Sequence, residues 1–283
     1  MSIRRLVFAA GLAAAAATPL YAQSAPPIGV RAAGMGGAFT AVADDGTAPF
    51  WNPAGLASGA FVGLAIDVND LNRESGAFIG LSTPPLGLSY YRTTAVAPSP
   101  TDPDAMLTST VHHAGVTVVQ SLGDRGIAVG STLKYVNGNG ASAFDADAGL
   151  MLSGSLGQIG LTVHNLFAPT LNEVALDRRV RAGVAIHLSQ QLTAAGDVEF
   201  TRTSSPAGEW RDAALGLEAH PLAKAWLRGG VHWNTASTPA GASPIGSVGG
   251  SYAVYGSLKI DAQVSFSSTE FGKGWGLGLS FVY

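Results

Sequence analysis

"LKIDAQVSF", Leu258 to Phe266, alternates without a fault: Leu258, Ile260, Ala262, Val264 and Phe266 on one face, Lys259, Asp261, Gln263 and Ser265 on the other. The terminal stretch "GWGLGLSFVY", Gly274 to Tyr283, repeats the pattern, with Trp275, Leu277, Leu279, Phe281 and Tyr283 set against Gly274, Gly276, Gly278, Ser280 and Val282. A period of two is the signature of a strand with unlike faces.

Working outward, the same pattern predicts strands at 60–68, 76–82, 86–92, 110–120, 126–136, 143–152 and 158–164. It continues at 178–187, 191–201, 211–219, 224–233, 247–255, 258–267 and 274–283. This gives about 14 strands, most near the length that a tilted membrane strand needs. Links alternate in length. "TPP", "SLGDR", "SGSLG", "LSQ", "HPLA" and "YGS" are short; "TTAVAPSPTDPDAMLTS", "NLFAPTLNEVALD", "TRTSSPAGEW" and "NTASTPAGASPIG" are longer and more polar. Short turns on one side, long loops on the other and an even strand number describe an up-and-down barrel of an outer membrane, with both termini on the short-turn side.

A water-soluble sandwich turns its apolar faces inward, whereas a membrane barrel turns them toward lipid and keeps glycine, serine and charge in the lumen. The polar faces here are rich in glycine and serine and poor in lysine, unlike a solvated sheet surface. Tyr90, Tyr91, Tyr135, Trp233, Tyr252, Trp275 and Tyr283 lie near strand ends, as interfacial girdles require. Charged residues make up 12% of the chain against about a quarter in soluble domains, which fits the membrane reading.

The first 22 residues carry Arg4 and Arg5, an apolar run from Leu6 to Leu20, and Ala22 at a cleavage position, and so read as a secretory signal peptide. The mature chain is expected to begin at Gln23, in the bacterial outer membrane. Removing both arginines takes the basic count from 16 to 14 against 19 acidic residues, about −5. A mildly acidic chain without basic clusters argues against nucleic acid as a partner. There is no cysteine, so no disulfide contributes.

On the polar faces, a hairpin centred on Ser189 sets Arg181 opposite Asp197 and Arg179 opposite Glu199. One centred between Gly138 and Ala141 sets Lys134 opposite Asp145, and one centred on Pro221 sets Glu218 opposite Lys224. Such cross-strand pairs each stabilise by about 0.2–1 kcal/mol, and they read as lumenal structure rather than catalysis. No G-x-S-x-G elbow occurs. The histidines at 112, 113, 164, 187, 220 and 232 are scattered without metal-ligand spacing. No enzyme activity, metal or cofactor is expected.

One segment breaks the alternation: "RAAGMGGAFTAVADDGTAPFWNPAGLASG", Arg31 to Gly59. "AGMGG" lacks the preceding strand and the spacing of a dinucleotide loop, and Asp44 and Asp45 before Gly46 read first as turn residues. The stretch from Arg31 to Ala57 resembles the N-terminal segment of FadL-type outer-membrane transport proteins and the related PorV-like group. The likeness rests on Gly34, Gly36, Gly37, Ala38 and Phe39, on Ala43, Asp44 and Asp45, and on Asn52, Pro53 and Ala54.

The resemblance implies a hatch at 23–58 folded inside a barrel wall at 59–283. It further implies that hydrophobic molecules, long-chain fatty acids among them, are captured by outer loops and leave through a gap in the wall, with Asn52, Pro53 and Ala54 beside the passage. Expected partners are membrane lipid and a hydrophobic ligand. The PorV-like alternative is a barrel that binds proteins of a secretion or surface-attachment machine. The long links hold few large apolar residues apart from Leu166, Phe167 and Leu171, so an elaborate capture site is not expected.

Overall fold

The structure, a computed structural model, describes residues 28–71, 74–98, 105–123, 126–172, 174–205, 208–236, 243–268 and 272–283. The signal peptide and its cleavage position lie outside these.

The wall strands are β1 (Gly63–Asp70), β2 (Glu74–Thr83), β3 (Leu86–Pro98), β4 (Met106–Ser121), β5 (Ile127–Gly138), β6 (Ala141–Gly154) and β7 (Gly157–His164). Two short pieces, β8 (Thr170–Leu171) and β9 (Val174–Ala175), pair with each other in the next link. The wall resumes with β10 (Arg179–Ser189) and β11 (Leu192–Glu199), and a second small hairpin follows, β12 (Thr203–Ser205) with β13 (Gly208–Trp210). The last wall strands are β14 (Asp212–Leu222), β15 (Ala225–Asn234), β16 (Ile245–Tyr255), β17 (Leu258–Ser267) and β18 (Gly274–Val282). Fourteen of them close into one antiparallel barrel, completed where β1 pairs with β18. Every predicted strand is present, and the two long links at 164–179 and 199–212 fold into hairpins of their own.

The faces are those of a membrane barrel. Leu88, Val116 and Leu133, neighbours in the register, are 53%, 50% and 56% exposed, while Thr117, Thr132 and Asp145 on the opposite faces are 0% exposed. Burying the polar face and exposing the apolar one is stable only where lipid covers the outside. Tyr91 departs from the girdle expected of it: it points into the lumen and is 5% exposed. Tyr90 precedes it, and adjacent residues of a strand must take opposite faces.

Residues 28–58 fill the lumen. Helix α1 (Val30–Gly34) packs on β15, β16 and β17, and a 3-10 helix (Pro53–Ser58) packs on β4, β5 and β6, across the ring. Between them α2 (Ala48–Trp51) carries Pro49 in its first turn, where a missing N–H costs nothing. The wall makes room by omitting side chains. A Cβ on Gly130 would fall on Pro53 and Ala54, one on Gly160 on the Thr40 carbonyl, and one on Gly230 on Met35, all far inside van der Waals contact. Gly36 returns the favour from the segment's side: its φ is +65° and a Cβ there would lie 2.5 Å from the Val231 nitrogen.

Register shifts occur at His187/Ser189, Ala219/Leu222 and Ala253/Tyr255, beside short turns. The longest one-sided stretch is at the β6–β7 seam, where β6 pairs with β5 from Ala141 but with β7 only from Ala148; a shorter one lies on β4, where Met106 to Thr110 pair with β3 alone. The link after β7 covers the remainder of β6, with Leu166 N donating to Ala146 O at 2.8 Å.

Candidate functional site

The lumen has two chemically different sides. On β10, β11 and β14 it is ionic. Arg179 makes a two-pronged bond to Glu199 at 2.6 and 2.7 Å, and Arg181 reaches Asp197 at 2.9 Å and Asp212 at 2.8 Å. Both expected pairs form, although the register differs by two residues: Arg181 sits opposite Glu199, and Gly183 opposite Asp197. The pairs are therefore diagonal, a reach that long side chains cover across an antiparallel ladder. The bulge at His187/Ser189 shifts the turn away from the symmetric centre at Ser189.

Asp197 does more than neutralise Arg181. Its Oδ2 accepts from Phe39 N at 3.1 Å, Thr40 N at 2.9 Å and Thr40 Oγ1 at 2.7 Å. The wall thus supplies the hydrogen bonds that the irregular backbone of "GGAFT" cannot make for itself. The pairing of Lys134 opposite Asp145 is as expected from the sequence. Lys134 lies 3.2 Å from Asp145 and 2.7 Å from Asp147, and Asp147 also faces His164 at 3.4 Å.

The expected partnership of Glu218 with Lys224 does not form. The bulge between Ala219 and Leu222 moves the register so that Glu218 faces Arg228, and the two meet at 2.5 Å. Glu218 also takes both Nε and Nη2 of Arg31 at 2.8 Å, while Arg31 Nη1 holds Asp44 at 2.5 Å and Asp45 at 3.1 Å. The acidic pair of the motif is therefore the near half of a hub whose far half is a wall strand. Asp45 in turn caps Thr47 through its N–H and hydroxyl. Burial alone would lower the Arg31 value, but the carboxylates of Asp44 and Glu218 hold it well above the ordinary one. Desolvation raises the carboxyl of Asp44, against the pull of Arg31. Beside the hub, at the short-turn end, lies a cavity of about 380 Å³ bounded by Asp67, Glu218, Arg228, Lys259 and Asp261.

The side formed by β2 to β4 is aromatic, flanked by the Lys134, Asp145 and Asp147 cluster of β5 and β6. Phe50 of α2 lies edge-on to Tyr91 at 5.2 Å and to Trp51 at 5.4 Å, and stacks with His164 at 5.8 Å. Tyr91 stacks on His113 at 4.2 Å, with Phe78 behind it at 6.5 Å. One layer further toward the long links, Val111 and Val136 pack with Leu171 and Leu176, which the 164–179 link turns into the mouth. A column of aromatic and aliphatic side chains thus descends from the outer mouth to the face of the N-terminal segment.

Asn52, Pro53 and Ala54 lie below this column as a structural unit. Asn52 Oδ1 accepts from Ala54 N at 3.1 Å and caps the 3-10 helix, Pro53 occupies its first position, and Asn52 Nδ2 donates to Thr40 O and Leu150 O. Gly34 packs against Gly249 and Arg228, and Gly37 O accepts from Arg181. Phe39 is fully buried under the Arg31 guanidinium, 5.1 Å from the ring centre. Arg31, Tyr91, His113 and Asp147 are the members that sequence reasoning missed. Arg31 finds Glu218 far along the chain, whereas Tyr91 and His113 face each other across the β3–β4 ladder and Asp147 lies two residues past Asp145 in the β5–β6 hairpin, where alternation marks the face but not the partner.

No protein-family model and no curated protein matches the chain. Solved structures do. The CymD monoaromatic hydrocarbon channel superposes with a TM-score of 0.65 at 12% identity, covering 89% of this chain and 96% of that one. The Ralstonia pickettii toluene transporter TbuX gives 0.64 at 12% identity over 89% and 97%. A deltaS2S3 mutant of the TodX monoaromatic hydrocarbon channel gives 0.61 at 11% identity over 89% and 97%. This chain shares their fold. At such identity the likeness is one of architecture: a fourteen-stranded barrel whose function has to be argued from its own residues.

Proposed function

We propose that the protein is an outer-membrane channel for the passive entry of small hydrophobic molecules, of about the size of one aromatic ring. The observation that carries this reading is the column of Phe50, Tyr91, His113 and Phe78 beneath Val111, Val136, Leu171 and Leu176, in a lumen otherwise lined by ion pairs. Such a column offers an apolar solute a path past the polar headgroup layer. The solved barrels that share the fold are named as hydrocarbon channels and a toluene transporter, which supports this substrate class over a long-chain fatty acid. The PorV-like protein-binding role rests on the sequence resemblance alone.

Residues 28–58 act as a hatch in this reading, and the exit is lateral. A hydrophobic solute that continued along the axis would meet Arg31, Asp44, Asp45 and Glu218 around the charged cavity, where desolvating those groups is costly. The β6–β7 seam, closed above Ala148 by one link rather than a strand, is the exit into lipid in this reading.

The test is uptake of a radiolabelled monoaromatic hydrocarbon by Gram-negative cells with and without the protein in the outer membrane. Faster uptake with the wild type, lost in Phe50→Asp at equal barrel abundance, is the expected result. Equal uptake by cells with and without the protein would overturn the proposal.

A further inference from the structure

The outward face carries a feature that transport does not use. Among the described wall-strand residues, Lys134, Arg179, Arg181, Arg228 and Lys259 all stand on inward faces, and Arg92 is the one cation directed outward. A guanidinium facing lipid is costly at the bilayer midplane and nearly free at the interface, so its height matters.

The register gives that height. Arg92 on β3 lies opposite His112 on β4, which lies opposite Asn137 on β5. One step toward the membrane centre the corresponding row is Tyr90, Ala114, Tyr135 and Phe144, an aromatic girdle. One step further again it is Leu88, Val116 and Leu133, the apolar belt. On the other side of Arg92, toward the long links, Thr94 and Thr110 share a hydrogen bond at 3.1 Å. The patch is therefore a set of donors, a guanidinium, an imidazole, an amide and two hydroxyls, and the outward carboxylate of Asp70 stands two strands away from Thr94 in the register. His112 is fixed by Tyr90, whose hydroxyl lies 2.8 Å from Nδ1. Among the described residues no hydrogen bond or ion pair engages the Arg92 guanidinium.

We infer that Arg92, His112, Asn137, Thr94 and Thr110 form a site for the phosphate of an outer-leaflet lipid, with its acyl chains lying on the Leu88, Val116 and Leu133 belt. Charge complementarity selects an anion, a planar fork suits a phosphate, and the apolar rows directly beneath favour a lipid over a free ion. The inference rests on the outer-membrane placement proposed above, and on the long-link end facing outward.

Native mass spectrometry of the detergent-purified barrel tests it. Wild-type protein is expected to retain added bis-phosphorylated lipid A and to lose the dephosphorylated form. Arg92→Gln should weaken retention about tenfold, the scale of one lost hydrogen-bonded charge, and Arg92→Lys should recover part of it. Excess inorganic phosphate should leave the lipid in place. Equal retention by wild type and Arg92→Gln, equal retention of the dephosphorylated lipid, or displacement by inorganic phosphate would each overturn the site. Heat-modifiable gel migration is scored on the same samples. Its absence from the wild type would count against the barrel placement, whereas its presence with equal lipid retention would count against the site alone.

Discussion

Arg181 donates from Nη2 to the carbonyl oxygen of Gly37 at 2.8 Å, so a single wall side chain grips the backbone of the N-terminal segment. The same guanidinium neutralises Asp197 and Asp212, and Asp197 holds Phe39 and Thr40. Removing it strands two buried carboxylates. Arg181→Met should therefore destabilise the barrel by about 3–5 kcal/mol, read as a lower heat-dissociation midpoint on gels. Arg181→Met with Asp197→Asn and Asp212→Asn should recover part of the loss, and a single variant as stable as wild type would contradict the account.

Gly230 is bare because Met35 lies against it. Gly230→Leu should push α1 off the wall, raising conductance in planar bilayers while heat-modifiable migration persists. Gly229→Leu is the control, since a Cβ at Gly229 meets only the Ser247 carbonyl at 3.9 Å. Unchanged conductance in a folded Gly230→Leu barrel would argue that the segment does not seal the lumen.

Asn52 has both of its amide atoms engaged, to Ala54, Thr40 and Leu150. Asn52→Ala leaves those backbone groups unsatisfied at a cost of about 1–3 kcal/mol, so residues 28–58 should become protease-sensitive before the wall does. Unaltered cleavage kinetics would reassign Asn52 from anchor to bystander.

The β6–β7 seam can be locked without disturbing the lumen. Ala146→Cys with Leu166→Cys, in a chain free of native cysteine, introduces a disulfide where Leu166 N already meets Ala146 O. Oxidation should block hydrocarbon uptake and reduction should restore it. Uptake indifferent to oxidation would place the exit elsewhere.

Asp44 gives the Arg31 hub a pH dependence. Desolvation raises its carboxyl above the ordinary aspartate value, with Arg31 opposing. A folded value above the unfolded one means that folding takes up a proton. The contribution is full below the ordinary aspartate range and is lost as pH rises through the raised value. Asp44→Asn lacks that loss, so its dissociation midpoint should gain on the wild type as pH rises from the ordinary aspartate range through the raised value. Parallel profiles would show that Asp44 is not desolvated in the barrel.

Alternation made the wall legible, because lipid outside and polar lumen inside impose opposite chemistry on neighbouring residues of every strand. The pairing of Lys134 with Asp145 followed from it, since a two-residue turn at Asn139 and Gly140 fixes that register. Glu218 pairs with Arg228 instead of Lys224 because the bulge before Leu222 adds residues that no period reveals. Tyr91 shows the cost of treating two adjacent aromatics as one girdle. The Arg31 hub and the Phe50 column were beyond reach for another reason: each joins the segment before β1 to strands far along the chain, and only closure of the ring sets those distances.

That closure also bears on how the molecule is made. A segment clasped by β4, β5 and β6 on one side and by β15, β16 and β17 on the other cannot be slid into a finished ring past the glycines that grip its backbone. The chain delivers this segment before any of the wall, and the ladder that seals the ring joins the first strand to the last. The economical order of assembly is thus to wind the wall around an object already present, so that residues 28–58 serve as the mandrel on which the barrel is built.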